Sequence, residues 1–299
     1  MVSPMMFLKR KSRDFLRFFL CLGCVVFLQT HLCVAQQEVI IKSTHVAGSV
    51  HMLEGRGGNI AVSVGEDGLL IVDNQFANLA PQIEAKLADL GKGDLKFVLN
   101  THWHGDHTGG NAHFGQKATI VAHENVRERL EGKKDTPKTA LPVITFREAS
   151  SVHFNGEEIR LIHLGPGHTD GDVIVWFTGS NVIHMGDQFF NGRFPFIDLG
   201  SGGSADGYQK NVNTVLNHLP EEVKIIPGHG DLATKDDLDR FATMLSDTIN
   251  PVRQSISLGK SLDQIKAAGV NEKYKTWGVG FINTSRWIEI VYNSLTSER

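Results

Sequence analysis

The 299-residue sequence predicts an α/β fold in which two sheets pack face to face and helices cover both outer faces. Three patterns predict it. Short apolar or alternating runs recur in both halves of the chain, stretches of helical spacing separate or follow them, and no fixed-period repeat or low-complexity linker interrupts the series. Residues 36–299 therefore read as one domain with room for a sizeable core.

From 39 to 74, glycines divide the apolar runs into "EVIIKST", "SVHML", "NIAVSV" and "LLIVD". These read as consecutive antiparallel strands, with "GEDG" as a hairpin turn. "LAPQIEAKLADLGKG" follows, with Ile83, Leu87 and Leu90 on one helical face and Gly91 as a stop. Next come a strand "LKFVLN", the stretch "NTHWHGDHTGG", a strand "ATIVA" and a charged helix over about 123–130. The second half repeats the theme with "ITF", "SVHF", "EIRLIHL", "VIVWF" and "NVIHM", a helix near 205–219 and a short strand "VKIIP". After His229 the chain turns helical in "KDDLDRFATMLSDTIN", "SLDQIKAAG" and "RWIEIVYNSL", with Pro251 expected to start or kink a segment.

Residues 1–35 have the three-part pattern of a signal peptide. Lys9, Arg10, Lys11, Arg13 and Arg17 precede an apolar run from Phe18 to Leu28, and Cys33 and Ala35 are the small residues before a cut after Ala35. An apolar run of about 11 residues is too short to span a bilayer. The expectation is an exported protein, periplasmic or secreted, with no stable membrane insertion after cleavage. Removing 1–35 leaves 25 Lys and Arg against 32 Asp and Glu, a formal charge of −7, which argues against a nucleic-acid partner. Cys21, Cys24 and Cys33 all lie in that segment, so the mature chain has no disulfide, thiolate nucleophile or cysteine ligand.

"HWHGDH" places four metal-ligand residues in six positions directly after a strand. His102 and His104 alternate in an extended segment and point the same way, so both can hold one ion. Asp106 and His107 follow the turn permitted by Gly105 and point toward a second, and the next residues, "TGG", are expected to begin a helix. Three further segments share a pattern of apolar strand, glycine turn and ligand: "IRLIHLGPGHTDGD" delivers His168, "VIHMGDQFF" Asp187 and "VKIIPGHGD" His229. His163 and His184, inside apolar strands, read as hydrogen-bonded core residues. His45, His51, His113, His123, His153 and His218 have no partner motif.

The order H-x-H-x-D-H, then H, D and H, resembles the metallo-β-lactamase superfamily of binuclear hydrolases, across essentially the whole mature chain. The resemblance implies an αβ/βα four-layer sandwich, here with extra C-terminal helices, and two zinc ions per chain. It assigns His102, His104 and His168 to one zinc, Asp106, His107 and His229 to the other, and Asp187 to both, with Asp73 bracing the ligand loop or standing as a solvated turn acid. A metal-bridging hydroxide is then the nucleophile and Asp106 its catalytic partner.

The superfamily opens β-lactams, lactones and thioesters and also cuts phosphodiesters. Export argues against cytoplasmic glutathione thioesters, so the lead expectation is opening of a cyclic amide such as a β-lactam in a small-molecule substrate. One β-lactamase subclass, however, has cysteine at the position of Asp187 and lysine at that of Phe190. The ligand set is more similar to lactonases and thioesterases, and relatives that hold a single iron and oxidise persulfides are a further class. Arg193, assisted by Asn191, stands either as an anion clamp or in solvent. Arg56 lies at the tip of "EGRGGN", a lid or an ordinary hairpin. Phe189, Phe190, Phe194 and Phe196 wall an apolar pocket or pack in the core.

Overall fold

The computed structural model describes residues 39–297; the expected signal segment and all three cysteines lie outside them. Twelve strands are described: β1 (Lys42–Ala47), β2 (Val50–Glu54), β3 (Ile60–Gly65), β4 (Gly68–Val72), β5 (Leu95–Leu99), β6 (Thr119–His123), β7 (Ile144–Phe146), β8 (Ala149–Phe154), β9 (Glu157–Ile162), β10 (Ile174–Phe177), β11 (Val182–His184) and β12 (Lys224–Ile226). They form a seven-stranded sheet in the order β1 to β7 and a five-stranded sheet in the order β12-β11-β10-β9-β8. The first sheet is antiparallel from β1 to β4 and parallel from β4 to β7. The second is antiparallel except where β11 lies parallel to β12.

The helices are α1 (Ala80–Leu90), α2 (Gly105–Thr108), α3 (Asn111–Phe114), α4 (Glu124–Gly132), α5 (Ala205–His218), α6 (Lys235–Ser257), α7 (Leu262–Ala268) and α8 (Thr284–Ser297). Four layers result. Val50, Met52, Leu70 and Val72 of one sheet meet Ile159, Leu161, Val175 and Phe177 of the other in a shared core. Ile83 and Leu87 of α1 cover the outer face of the first sheet. Tyr208 of α5, Phe241 and Leu245 of α6, and Trp287 and Val291 of α8 cover the outer face of the second. Alternation of side chains across each strand is what supplies both faces with apolar groups.

Three local expectations are corrected. The first strand starts at Lys42 rather than within "EVII", leaving Ile40 exposed. A short helix begins at Gly105, so Asp106 and His107 belong to it rather than preceding one. Pro251 does not start a segment, because α6 runs through it for 23 residues. Leu238, Phe241, Leu245, Ile249 and Val252 are buried on both sides of the proline, and a Thr234–Asp237 capping box fixes the start. Among the described residues no helix is long and apolar enough to cross a membrane.

The topology gathers one edge. β4 and β5 run parallel, and β9, β11 and β12 share one direction in the second sheet. Asp73, the loop starting at Asn100, the 163–173 loop, the turn at Gly186 and the turn at Pro227 follow the C-terminal ends of those five strands.

Candidate metal centre

Seven side chains converge at that edge in two groups. His102, His104, His168 and Asp187 form one, and Asp106, His107 and His229 the other, with the ligand atoms of each group within 4.8 Å of one another. Asp187 joins them. Its Oδ2 lies 3.8 Å from His102 Nε2 and 3.4 Å from His168 Nε2, while its Oδ1 lies 3.1 Å from His107 Nε2 and 3.4 Å from His229 Nε2. Asp106 Oδ2 lies 3.3 Å from His229 Nε2.

Four of the five rings are aimed by a bond on the far nitrogen. Asp73, buried at a positive φ of 64°, accepts from the Thr101 amide at 2.8 Å and from the Thr101 hydroxyl and His107 Nδ1 at 2.7 Å each. With the Thr101 proton committed to Asp73, its oxygen accepts from His102 Nδ1 at 3.0 Å, which leaves His102 Nε2 as a lone-pair donor. His168 Nδ1 donates to the Phe196 carbonyl at 2.8 Å. His104 is turned the other way, with Nε2 2.9 Å from Asp198 and Nδ1 facing His168. Close backbone approach completes the floor. A Cβ on Gly58 would lie 2.1 Å from the His107 ring, and one on Gly228 2.1 Å from Asp187 Oδ1.

The donor set fits metal ions. His102 Nε2, His107 Nε2 and Asp187 Oδ1 are buried without a hydrogen-bond partner, an arrangement that costs free energy unless a cation sits between them. The electrostatics agree. Burial pushes His102 well below the usual imidazole range and His168 down to about 4, so both are neutral and ready to coordinate. Burial also opposes charge on His107 and His229, but the Asp187 carboxylate, with Asp73 for the first and Asp106 for the second, outweighs it. His107 is raised well above the usual range and His229 to about 9. Burial opposes ionisation of Asp187 too, and the surrounding histidines hold it ionised nevertheless.

The site opens on one side only. The side chains of His102, His107 and His168 are 1% exposed or less, whereas those of His104, Asp106 and His229 are 18–27% exposed. These three face a cavity of about 480 Å³ whose walls include Phe76, Phe190, Arg193, Phe196 and Phe281. Phe190 and Phe194 line it as well, Phe190 stacked on His229 with ring centroids 5.1 Å apart, while Phe189 is buried against Phe241 instead. Asn191 is outside the lining and donates to the Asp231 carbonyl. Arg56 is outside it too, and its loop is clamped down by Gly58 N to Asp106 O and Asn59 N to Gly228 O.

Two acids beside the site were not singled out in the sequence, the half-buried Asp198 and the buried Asp172. Asp198 orients His104, and Asp172 accepts from Thr169 N, Thr169 Oγ1 and Gln188 Nε2, with burial raising it to about 7. The "HTDGD" run after His168 was a signal for Asp172; "PFID" carried none for Asp198. His184 bonds the Asn59 carbonyl, and His163 the Asp172 carbonyl, away from the ligand groups. His123 caps α4 through Asn125 N and stacks on His163.

The chain is 23% identical over 177 residues to a "Metallo-beta-lactamase type 2" of Bacteroides fragilis, covering 56% of this chain and 70% of that one. It is 29% identical over 140 residues to a "Hydroxyacylglutathione hydrolase" of Pelagibacter ubique, covering 45% of this chain and 52% of that one, so it spans about half of that relative's length. The solved structure of the DIM-1 metallo-beta-lactamase superposes with a TM-score of 0.61 at 20% identity, over 70% of this chain and 99% of that one, which shows a shared fold. Residues 53–229 match the family model described as the metallo-beta-lactamase superfamily, and the chain belongs to that superfamily of hydrolases.

Proposed function

We propose that the chain is an exported hydrolase that holds two zinc ions and cleaves an acyl bond of a small molecule, with esters, lactones and thioesters ahead of cyclic amides. The observation that carries this reading is Asp187, whose two oxygens face the two ligand groups beside one open cavity. A carboxylate in this position is more similar to the ligand set of lactonases and thioesterases than to the β-lactamase subclass with cysteine there, and the Pelagibacter relative supports the same order. The cyclic amide remains the second reading, supported by the Bacteroides relative.

Imidazole and carboxylate donors suit zinc, which supplies Lewis acidity toward an acyl oxygen and toward water when bound. His102, His104 and His168 would hold one ion, Asp106, His107 and His229 the other, and Asp187 both. The chain's own contribution is positional and protonic. Asp106 is the ligand carboxylate most open to the cavity, and it is kept ionised against burial by His229 and His107. Its Oδ2 is placed to take a proton from attacking water and return it to the departing atom. Asp73, Thr101 and Asp198 keep the rings in one tautomer and one direction. Arg193, exposed on the cavity wall, supplies a cation for an anionic group on the substrate.

The test is a hydrolysis panel of esters, lactones, thioesters, β-lactams and phosphodiesters with zinc-loaded protein, with Asp106→Ala as control. Esters or thioesters should turn over fastest, and a chelator should abolish turnover until zinc is restored. Equal activity of metal-free protein would sink the reading, and one iron per chain with oxygen uptake would replace it by persulfide oxidation. Export is checked by N-terminal sequencing of protein from the extracytoplasmic fraction, which should begin at Gln36.

A further inference from the structure

The outer wall of the cavity comes from a segment that no sequence motif singled out, the turn before α8. Phe194 N donates to the Trp277 carbonyl at 3.1 Å, and the Phe194 ring stacks on Trp287 at 5.8 Å and 9°. Ile282 is buried, which anchors the turn beside the cavity. Its neighbour Phe281 is 89% exposed, yet its ring meets Phe196 edge to face at 6.1 Å. Phe196 in turn lies 6.1 Å from the His104 ring and 5.9 Å from the His168 ring. A continuous aromatic track therefore leads from two ligands to the cavity mouth. Phe76 contributes a second partly exposed ring from the other sheet.

A phenylalanine so exposed adds little to the core, and the buried side chain of Ile282 next to it ties the turn to the cavity edge, so the ring is presented to the cavity. We infer that Phe281, with Ile282 and Phe76, is a specificity-determining wall, and that the substrate carries an apolar alkyl or aryl acyl group that leaves water against it. The inference rests on the acyl-hydrolase reading and adds to it the character of the acyl group. Phe281 and Ile282 lie beyond the family-matched segment 53–229, and Phe76 lies within it.

The experiment uses zinc-loaded protein and p-nitrophenyl esters from acetate to octanoate. Each methylene removed from water should raise kcat/KM by about two- to fourfold until the cavity is filled, mainly through KM. In Phe281→Ala the loss should grow with chain length, from about twofold for acetate to about tenfold for octanoate, and Phe281→Leu should recover most of it. Val279→Ala, an exposed residue of the same turn outside the cavity lining, should leave the profile unchanged. Calorimetric binding of octanoate against acetate supplies a readout independent of turnover. A flat chain-length profile, or a Phe281→Ala loss equal at every length, overturns the wall. Absence of hydrolysis across esters, lactones, thioesters and β-lactams with octanoate binding that depends on Phe281 would instead sink the hydrolytic reading and keep the wall.

Discussion

The floor and the wall of the cavity are built by opposite rules. On the floor every histidine of the buried half has its far nitrogen fixed by a partner, as Asp73 does for His107, Thr101 for His102 and the Phe196 carbonyl for His168. On the wall, Arg193 and Phe281 extend from the backbone with their ends in solvent. The difference teaches that reaction chemistry is over-determined here, whereas substrate choice rests on a few replaceable side chains. Changes to the floor should therefore act on turnover and metal retention together, and changes to the wall on KM.

Asp187→Ala is the strongest break, since it removes the one group shared by both ligand sets and leaves His107 to Asp73 and His229 to Asp106 for counter-charge. It should lower kcat/KM by about 10³-fold, roughly 4 kcal/mol of transition-state stabilisation, and reduce metal content measured on the same sample. Asp106→Ala comes next, with an expected loss of about 10²-fold in kcat. Its metal content should fall less than that of Asp187→Ala; equal depletion would assign Asp106 a binding role alone. Asp73→Asn and Asp198→Asn act through the histidines they aim, and each should weaken metal affinity by about 10- to 100-fold in a chelator competition.

The floor also predicts a proton balance. His229 is raised to about 9 in the metal-free protein, so it carries a proton at pH 7 that coordination must displace. Metal affinity should therefore rise with pH up to about 9, and calorimetry in buffers of different ionisation enthalpy should show proton release. In the metal-free protein the sign is reversed. The folded value exceeds the ordinary imidazole value, so the stabilisation is complete below about 6.5 and is lost as pH rises through about 9. The mildest change is on the wall. Arg193→Ala should raise KM for a carboxylate-bearing substrate about fivefold with kcat held, because an exposed cation is screened by water. A change in kcat instead would move Arg193 into the chemistry.

The floor was largely legible in the sequence and the wall only in part, since Phe190, Arg193, Phe194 and Phe196 were singled out and Phe76, Phe281 and Ile282 were not. "HWHGDH" announces itself because four ligands after one strand share a local geometry, and His168, Asp187 and His229 repeat one strand, glycine and ligand pattern. Layer order was legible because strand alternation and helical spacing are local signals, and Pro251 misled because packing of the α6 apolar face overrides a local propensity. Asp198 and Phe281 act only through partners far away in the chain, His104 at a separation of 94 residues and Phe196 across the turn before α8. No residue-spacing rule reaches that far. Asn191 was singled out as a helper of Arg193 and Arg56 as the tip of a glycine-rich loop; neither lines the cavity, and the Asn191 side chain donates to the Asp231 carbonyl.

The seven ligands leave the ends of four strands, β5 from one sheet and β9, β11 and β12 from the other. No single hairpin or sheet can assemble the centre, so it comes into being only after the two sheets have closed on each other. Metal uptake should therefore follow closure of the sheets, and binding gained only by the folded chain adds to its resistance to unfolding. Chelation should reach beyond the active site and loosen the seam between the sheets.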